Sequence, residues 1–160
     1  MDKIQADNLI KNLISANTTI SCMESCTAGM IASVITDTEG ASAVFKGSYV
    51  TYSNEEKIRM GVNADVIRDY GVYSRECARE MARVVKRDFL VDVAIGITGN
   101  AGNTDVNNPE GKVGKVFFCI IKGDEEHTYS YKMDVKNLSR HEIKKSYTYQ
   151  VFTELEALLK

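Results

Sequence analysis

Ser25, Cys26 and Thr27 stand side by side in the stretch MESCTAGM, residues 23–30, between a β-prone run and a helix-like one. Each is a potential nucleophile. A serine hydroxyl needs an adjacent base, and a thiol commonly needs a histidine. The chain has two histidines, His127 and His141, and neither falls at the carboxyl end of a predicted strand. Cys26 therefore reads as a small buried side chain and Ser25 as the candidate nucleophile. The same position also suits an ordinary helix cap, in which Ser25 or Thr27 satisfies the first N–H groups of the helix. Those N–H groups otherwise serve as donors to an oxyanion or a phosphate. Ala28 and Gly29 are small enough for a ligand to approach the backbone. The nucleophile-elbow pattern G-x-S-x-G is absent, because Met23 and Thr27 occupy its glycine positions.

A base for Ser25 has one candidate in Tyr52-Ser53-Asn54-Glu55-Glu56-Lys57. Tyr52 ends a predicted strand and Lys57 follows within a helical turn. Lys57 either is solvated there or folds back into the site, where poor hydration lowers its pKa and makes it a base for a serine. The S-x-x-K arrangement occurs nowhere in the chain. Gly96, Gly99 and Gly102 recur at intervals of three around the end of an apolar run. They match neither G-x-G-x-x-G nor the phosphate-binding G-x-x-x-x-G-K-[ST]. They read as a surface loop needing positive φ, or as a loop whose backbone N–H groups face a ligand.

These residues need a scaffold, and the remaining sequence predicts one. Its 160 residues suit a single domain, 1–160, with one core. Apolar residues are 44% and charged residues 26%, a soluble globular composition. A net charge of −2 argues against a nucleic-acid partner. No apolar run approaches the ~20 residues that span a bilayer, so no membrane partner is expected. The N-terminus is amphipathic with mixed charge and unlike a signal peptide. The four cysteines lack zinc spacing, so a cytoplasmic location with reduced thiols is expected, with no metal.

Helical spacing predicts a helix over about 3–16, another over 26–37, short helices at 54–60 and near 64–70, and one capped by Ser74. Strands are predicted at 18–23, 44–52 and 91–97. The last is a continuous apolar run of the kind buried on both faces. A long loop, 98–112, precedes two strands, 113–121 and 127–135, joined as a hairpin by KGDEE. Ser139 and Glu142 form a capping box for a final helix with Ile143, Tyr147, Val151, Leu155 and Leu158 on one face. This order implies an α/β fold, a three-layer α/β/α sandwich with a mixed, mostly parallel sheet. Ligands in such folds sit at the carboxyl ends of strands, where the three segments above would meet. The hairpin leaves an edge through which copies could pair into a homo-oligomer.

Taken together, the segments resemble the C-terminal domain of the CinA (competence/damage-inducible) family, the nicotinamide-nucleotide amidohydrolases. The resemblance is carried by Glu24-Ser25-Cys26-Thr27-Ala28-Gly29, by Ser42-Ala43-Val44-Phe45-Lys46-Gly47 with Tyr52-Ser53-Asn54-Glu55-Glu56-Lys57, by Gly71-Val72-Tyr73-Ser74, and by Thr98-Gly99-Asn100-Ala101-Gly102, in the family's order over nearly the whole chain. Ala28, Asn100 and Asn103 depart from the family pattern, where a glycine, an aliphatic residue and a proline are commoner. The chain looks like the stand-alone form, without the N-terminal domain that many members carry.

The resemblance implies hydrolysis of the carboxamide of nicotinamide mononucleotide to nicotinic acid mononucleotide and ammonia, with a pyridine nucleotide as ligand and no cofactor. It maps the nucleophile to Ser25, the base to Lys57, and supporting roles to Tyr52 and Thr98. Backbone N–H groups near Thr27–Gly29 or at Thr98–Gly99 are the expected oxyanion donors, and the backbone at Gly99 and Gly102 is expected to contact substrate. Arg140 and Thr27 are the candidate phosphate contacts. Glu55 and Glu56 are expected to face solvent. The alternatives are an inactive nucleotide-binding module of the same family and an amidase for another small amide.

Overall fold

Eight consecutive buried residues, Val93–Asn100, form the central strand β3 of the computed structural model, which describes residues 1–102 and 105–160. The departure at Asn103 lies outside the described residues. The strand runs three residues past the predicted end at Ile97. Strand β4 (Lys115–Lys122) pairs antiparallel along its whole length, from Val93↔Lys122 to Asn100↔Lys115, and so carries Thr98, Gly99 and Asn100 into the sheet. On the other side of β3 lies β1 (Ile20–Glu24), parallel to it and two residues later in start than predicted.

The full order is β2-β1-β3-β4-β5, with β2 at Phe45–Val50 and β5 at Glu125–Lys132. The sheet is mixed: β2, β1 and β3 are parallel, and β3, β4 and β5 are antiparallel. The β4–β5 hairpin turns on two residues, Gly123 and Asp124, instead of the five predicted. Gly123 supplies a positive φ of 58° at the first central position, which suits a two-residue turn and lets pairing extend to Lys122↔Glu125.

Helices cover both faces, giving the three-layer sandwich. One layer holds α1 (Lys3–Ser15), α2 (Met30–Thr36) and α6 (Arg140–Leu159). Their Leu9, Ile10, Leu13, Ile31, Ile35, Tyr147 and Phe152 pack on Ile20, Cys22, Ile95 and Phe118. Both α1 and α6 begin with capping boxes, Asp2 with Gln5 and Ser139 with Glu142. The other layer is α5 (Arg75–Phe89), capped by Ser74, with α4 (Ala64–Tyr70) beside it. Its Cys77, Met81, Val84 and Val85 meet Met23, Ala94, Cys119 and Ile121. Each fully buried aliphatic side chain contributes about 1.5–3 kcal/mol of transfer free energy. A short helix α3 (Asn54–Arg59) follows β2.

The β1–β2 ladder contains one irregularity. Ile20 faces Phe45, yet Ser21 faces Gly47, so Lys46 is an extra residue that bulges out of β2. Gly47 has φ 152°, and a side chain there would strike the Phe89 ring of α5 at 2.6 Å. Beyond the bulge the ladder is regular to Glu24↔Val50, and the Thr51 N–H extends it by donating to Glu24 O.

Candidate active site

Because β1, β2 and β3 are parallel, their carboxyl ends lie at one edge of the sheet, and a cavity of about 510 Å³ opens there. Its wall includes Ser25 and Cys26 after β1, Tyr52 to Glu55 after β2, Tyr73, Gly99 to Ala101 at the end of β3, Asp105, Asn107, Asn108 and Arg140. The volume lies within the range of ordinary small-molecule sites.

Ser25 begins a tight turn, 25–29, before α2 starts at Met30, four residues later than the predicted helix. Its N–H donates to Ile97 O, which ties it to β3. The predicted serine or threonine cap is not formed. The cap is Glu24, fully buried at the end of β1, whose carboxylate accepts from the N–H groups of Gly29, Ile31 and Ala32 at 3.0, 3.1 and 2.9 Å. A carboxylate at a helix N-terminus neutralises the same donors and dipole that a ligand would use. Gly29 N–H therefore points at Glu24. Within the turn, the Cys26 and Thr27 N–H groups donate to no backbone carbonyl among the described residues and lie against the Cys26 sulfur. The Thr27 hydroxyl is buried without a partner and is not part of the cavity wall.

Lys57 is only 1% exposed, a rare state for a lysine. Ser53 caps α3, and the helix turns the side chain back over the strand ends. Its Nζ donates to Thr51 O at 2.8 Å and lies 2.9 Å from Ser25 Oγ. Burial drives its pKa below the ordinary lysine value, opposed by nearby Cys77, Cys26, Asp105 and Glu55. Burial also pushes the Cys26 and Cys77 thiols up to about 12, so at neutral pH neither carries a charge that would hold the ammonium. The same shift makes Cys26 a poor nucleophile. His127 and His141 are outside the cavity wall.

The other predicted residues fall in different places. Tyr52 is 59% exposed; it makes no hydrogen bond to Lys57, and its hydroxyl accepts from Arg140 Nη2 at 2.9 Å. Arg140, at the first position of α6, thus leans across the mouth of the cavity. Thr98 is buried and its hydroxyl donates to Val72 O at 3.0 Å, away from the cavity. Side chains alternate along a strand, and Thr98 shares the α5 face with Ala94 and Gly96. The three glycines do not form one loop. Gly96 lies under α5, where a Cβ would meet Ala78 O at 2.2 Å. Gly99 lies against β4, where a Cβ would meet Lys115 O at 2.7 Å. Gly102 N–H donates to Asn100 Oδ1. Glu56 pairs with Arg59 at 2.6 Å, whereas Glu55, although exposed, forms part of the cavity rim.

Sequence reasoning missed one wall. Tyr73 donates to Asp105 Oδ2 at 2.5 Å, and Asn108 Nδ2 donates to the same oxygen at 2.9 Å. Asn54 Nδ2, at the start of α3, donates to Asn108 Oδ1 at 2.8 Å. No local pattern links partners 32 and 54 residues apart. Among the described residues no group of three His, Cys, Asp or Glu side chains could hold a metal ion, and no helix is long and apolar enough to cross a membrane.

The family model of the CinA C-terminal domain matches residues 2–159. A Mycoplasma pneumoniae protein is 33% identical over 152 residues, 94% of each chain. A CinA-like protein of Fervidobacterium nodosum is 38% identical over 136 residues, which are 83% of this chain but 33% of that longer relative. Among solved structures, the competence/damage inducible protein CihA of Agrobacterium tumefaciens superposes with a TM-score of 0.85 at 28% identity, covering 99% of this chain and 95% of that one. A CinA superfamily protein of Escherichia coli shares the fold with a TM-score of 0.87 at 22% identity, covering 96% and 88%.

Proposed function

The chain belongs to the CinA C-terminal domain family, and from that premise we propose that it hydrolyses the carboxamide of nicotinamide mononucleotide to nicotinic acid mononucleotide and ammonia. The observation that carries the reading is the buried Ser25–Lys57 pair, 2.9 Å apart in the wall of a cavity large enough for a small molecule. A hydroxyl within hydrogen-bond reach of an amine whose ammonium is destabilised by burial is an activated nucleophile.

In this mechanism neutral Lys57 takes the Ser25 proton as Ser25 Oγ bonds to the amide carbon. The oxyanion is met by the Cys26 and Thr27 N–H groups, which donate to no backbone carbonyl among the described residues and have only the weakly accepting Cys26 sulfur beside them. The protonated Lys57 then gives its proton to the amide nitrogen, the C–N bond breaks, and ammonia leaves. Water, deprotonated by Lys57, attacks the acyl carbon; the bond to Ser25 Oγ breaks and the serine regains the proton. The carboxylate product follows. Lys57 is the neutral amine again once its proton has passed to Ser25 Oγ, and Thr51 O keeps Nζ in place throughout. Tyr52 and Arg140 act at the mouth, where the guanidinium is the cavity-wall cation suited to the phosphate. Thr98 and Gly99 support the floor from the sheet.

The test is incubation of the purified protein with nicotinamide mononucleotide, followed by ammonia release and chromatography of the nucleotide. Stoichiometric ammonia and nicotinic acid mononucleotide are expected. A folded protein that releases neither overturns the reading.

A further inference from the structure

Amide hydrolysis by Ser25 and Lys57 leaves two carboxylates of the cavity without a task, Glu55 on the exposed rim and Asp105. Asp105 forms part of the cavity wall and is held, among the described residues, by Tyr73, Asn107 and Asn108. Tyr73 and Asn108 donate to Oδ2, and the Asn107 N–H donates to Oδ1 at 2.9 Å. Asn108 is tied in turn to Asn54 at the head of α3, so the carboxylate is fixed relative to the helix that carries Lys57. The clamp holds the group in place and keeps it ionised, with its carboxyl below the usual carboxylate range. Tyr73 stays a phenol, since burial and Asp105 both raise its pKa, so it donates without adding charge.

None of the three partners is a cation. Lys57 is near enough to feel Asp105, yet in the neutral form needed of a base it supplies no positive charge. Arg140 is engaged with Tyr52 at the mouth. An ionised carboxylate immobilised in a cavity wall with no counter-ion among the described residues is a site for a cationic ligand group. On the reading of the preceding subsection, the ligand brings one: the ring nitrogen of a nicotinamide nucleotide is quaternary, and the pyridinium is positively charged.

We propose that Asp105 is the counter-ion of the substrate's cationic ring, so that the site selects pyridinium carboxamides over carboxamides on neutral rings. The inference rests on the proposed reaction for its substrate, but it concerns affinity and is tested separately. Nicotinamide mononucleotide and its reduced dihydropyridine form share the carboxamide, ribose and phosphate. They differ in ring charge. A carboxylate that faces the ring discriminates between them; a carboxylate that only braces the loop does not.

The experiment is calorimetric titration of both nucleotides into the full chain carrying Ser25→Ala, which cannot turn them over, with and without Asp105→Asn. The expected result is that the Ser25→Ala protein binds the oxidised nucleotide about tenfold or more tightly than the reduced one. Asp105→Asn removes that preference and leaves the affinity for the reduced nucleotide within about threefold, which reports an intact site. Tyr73→Phe, which removes a donor but keeps the carboxylate, retains the preference. A preference that survives Asp105→Asn overturns the proposal, as does equal binding of the two forms before that change, or binding of neither. Ammonia release by the unsubstituted protein separates the two claims. A charge preference that depends on Asp105 without ammonia release upholds the counter-ion and removes the reaction; ammonia release without that preference does the reverse.

Discussion

Replacing Lys57 by methionine separates its chemical role from its packing. Methionine has comparable length and fills the same buried slot without a titratable group. The variant loses the 2.8 Å bond to Thr51 O, and a buried carbonyl deprived of its donor costs about 1–3 kcal/mol. Against that loss, the variant is relieved of a buried ammonium, and the balance depends on pH. The folded-state pKa of Lys57 is lowered by burial, whereas the unfolded chain keeps a value of roughly 10.4. Below the lowered pKa both states hold the proton, and the wild type bears the whole desolvation cost. Between the two pKa values the unfolded state binds more protons than the folded one. Wild-type stability therefore rises with pH across that window, by up to about 1.4 kcal/mol per unit.

The methionine variant lacks this slope. Urea denaturation from neutral to alkaline pH should show its stability relative to wild type declining as pH increases. Turnover of nicotinamide mononucleotide should drop by roughly 10²–10⁴-fold, the usual contribution of a general base, while wild-type kcat/KM rises with pH through the lowered pKa. Stabilities that run parallel over the window would refute the depressed pKa. A Lys57→Met protein with more than about a tenth of wild-type activity would refute the role as base.

Ser25→Ala should abolish turnover by several orders of magnitude and leave nucleotide binding measurable by calorimetry; residual turnover near wild type would move the nucleophile elsewhere. On the proposed reaction, Cys26→Ala should keep most activity, and iodoacetamide should leave the unsubstituted protein's turnover intact at pH 7, because the Cys26 thiol is buried and pushed up to about 12; rapid inactivation through Cys26 would contradict this. Gly99→Ala should destabilise the fold by about 1–3 kcal/mol through the contact with Lys115 O and Val116. Thermal melts should detect it; an unchanged Tm with a raised KM would return Gly99 to a ligand-facing role. Arg140→Met should raise KM for the nucleotide about tenfold with little change in kcat, and the effect should vanish with nicotinamide riboside, which has no phosphate.

What could be read from sequence was local. Ser74 capping α5 and the Ser139–Glu142 box opening α6 involve partners three residues apart, and both form. The apolar run at 91–97 announces a buried strand, but its end is set by β4, whose pairing continues beside Thr98, Gly99 and Asn100 after the run turns polar. The face to which Thr98 points could not be inferred, because β3 is buried on both faces and shows no polar alternation. The cap of α2 escaped notice for another reason. Glu24 sits in the preceding strand, five residues before Gly29, outside the spacing at which caps are sought. Lys57 was legible in the sequence as a candidate base but equally as a solvated lysine, and only the resemblance chose between them, since its burial depends on α3 folding back over the strand ends. The Tyr73–Asp105 clamp joins two loops that only the folded chain brings together.

The bulge at Lys46 gives the two walls of the cavity different freedom to change. Downstream of it, Glu24 faces Val50, Thr51 pairs with Glu24, and Lys57 is hung from Thr51 O. The distance between nucleophile and base is thus metered out along the backbone, as by the notches of a ruler. One residue removed or added between 47 and 51, downstream of the bulge, shifts that measure by about 3.3 Å and turns every later side chain over, more than a 2.9 Å contact can absorb. Asp105, Asn107 and Asn108, in the other wall, lie outside the ladder and bear no such measure. On the proposed reaction, changes of length or charge in the wall that carries Asp105 alter the fit of the ligand while the wall that carries Ser25 and Lys57 is held to a fixed count.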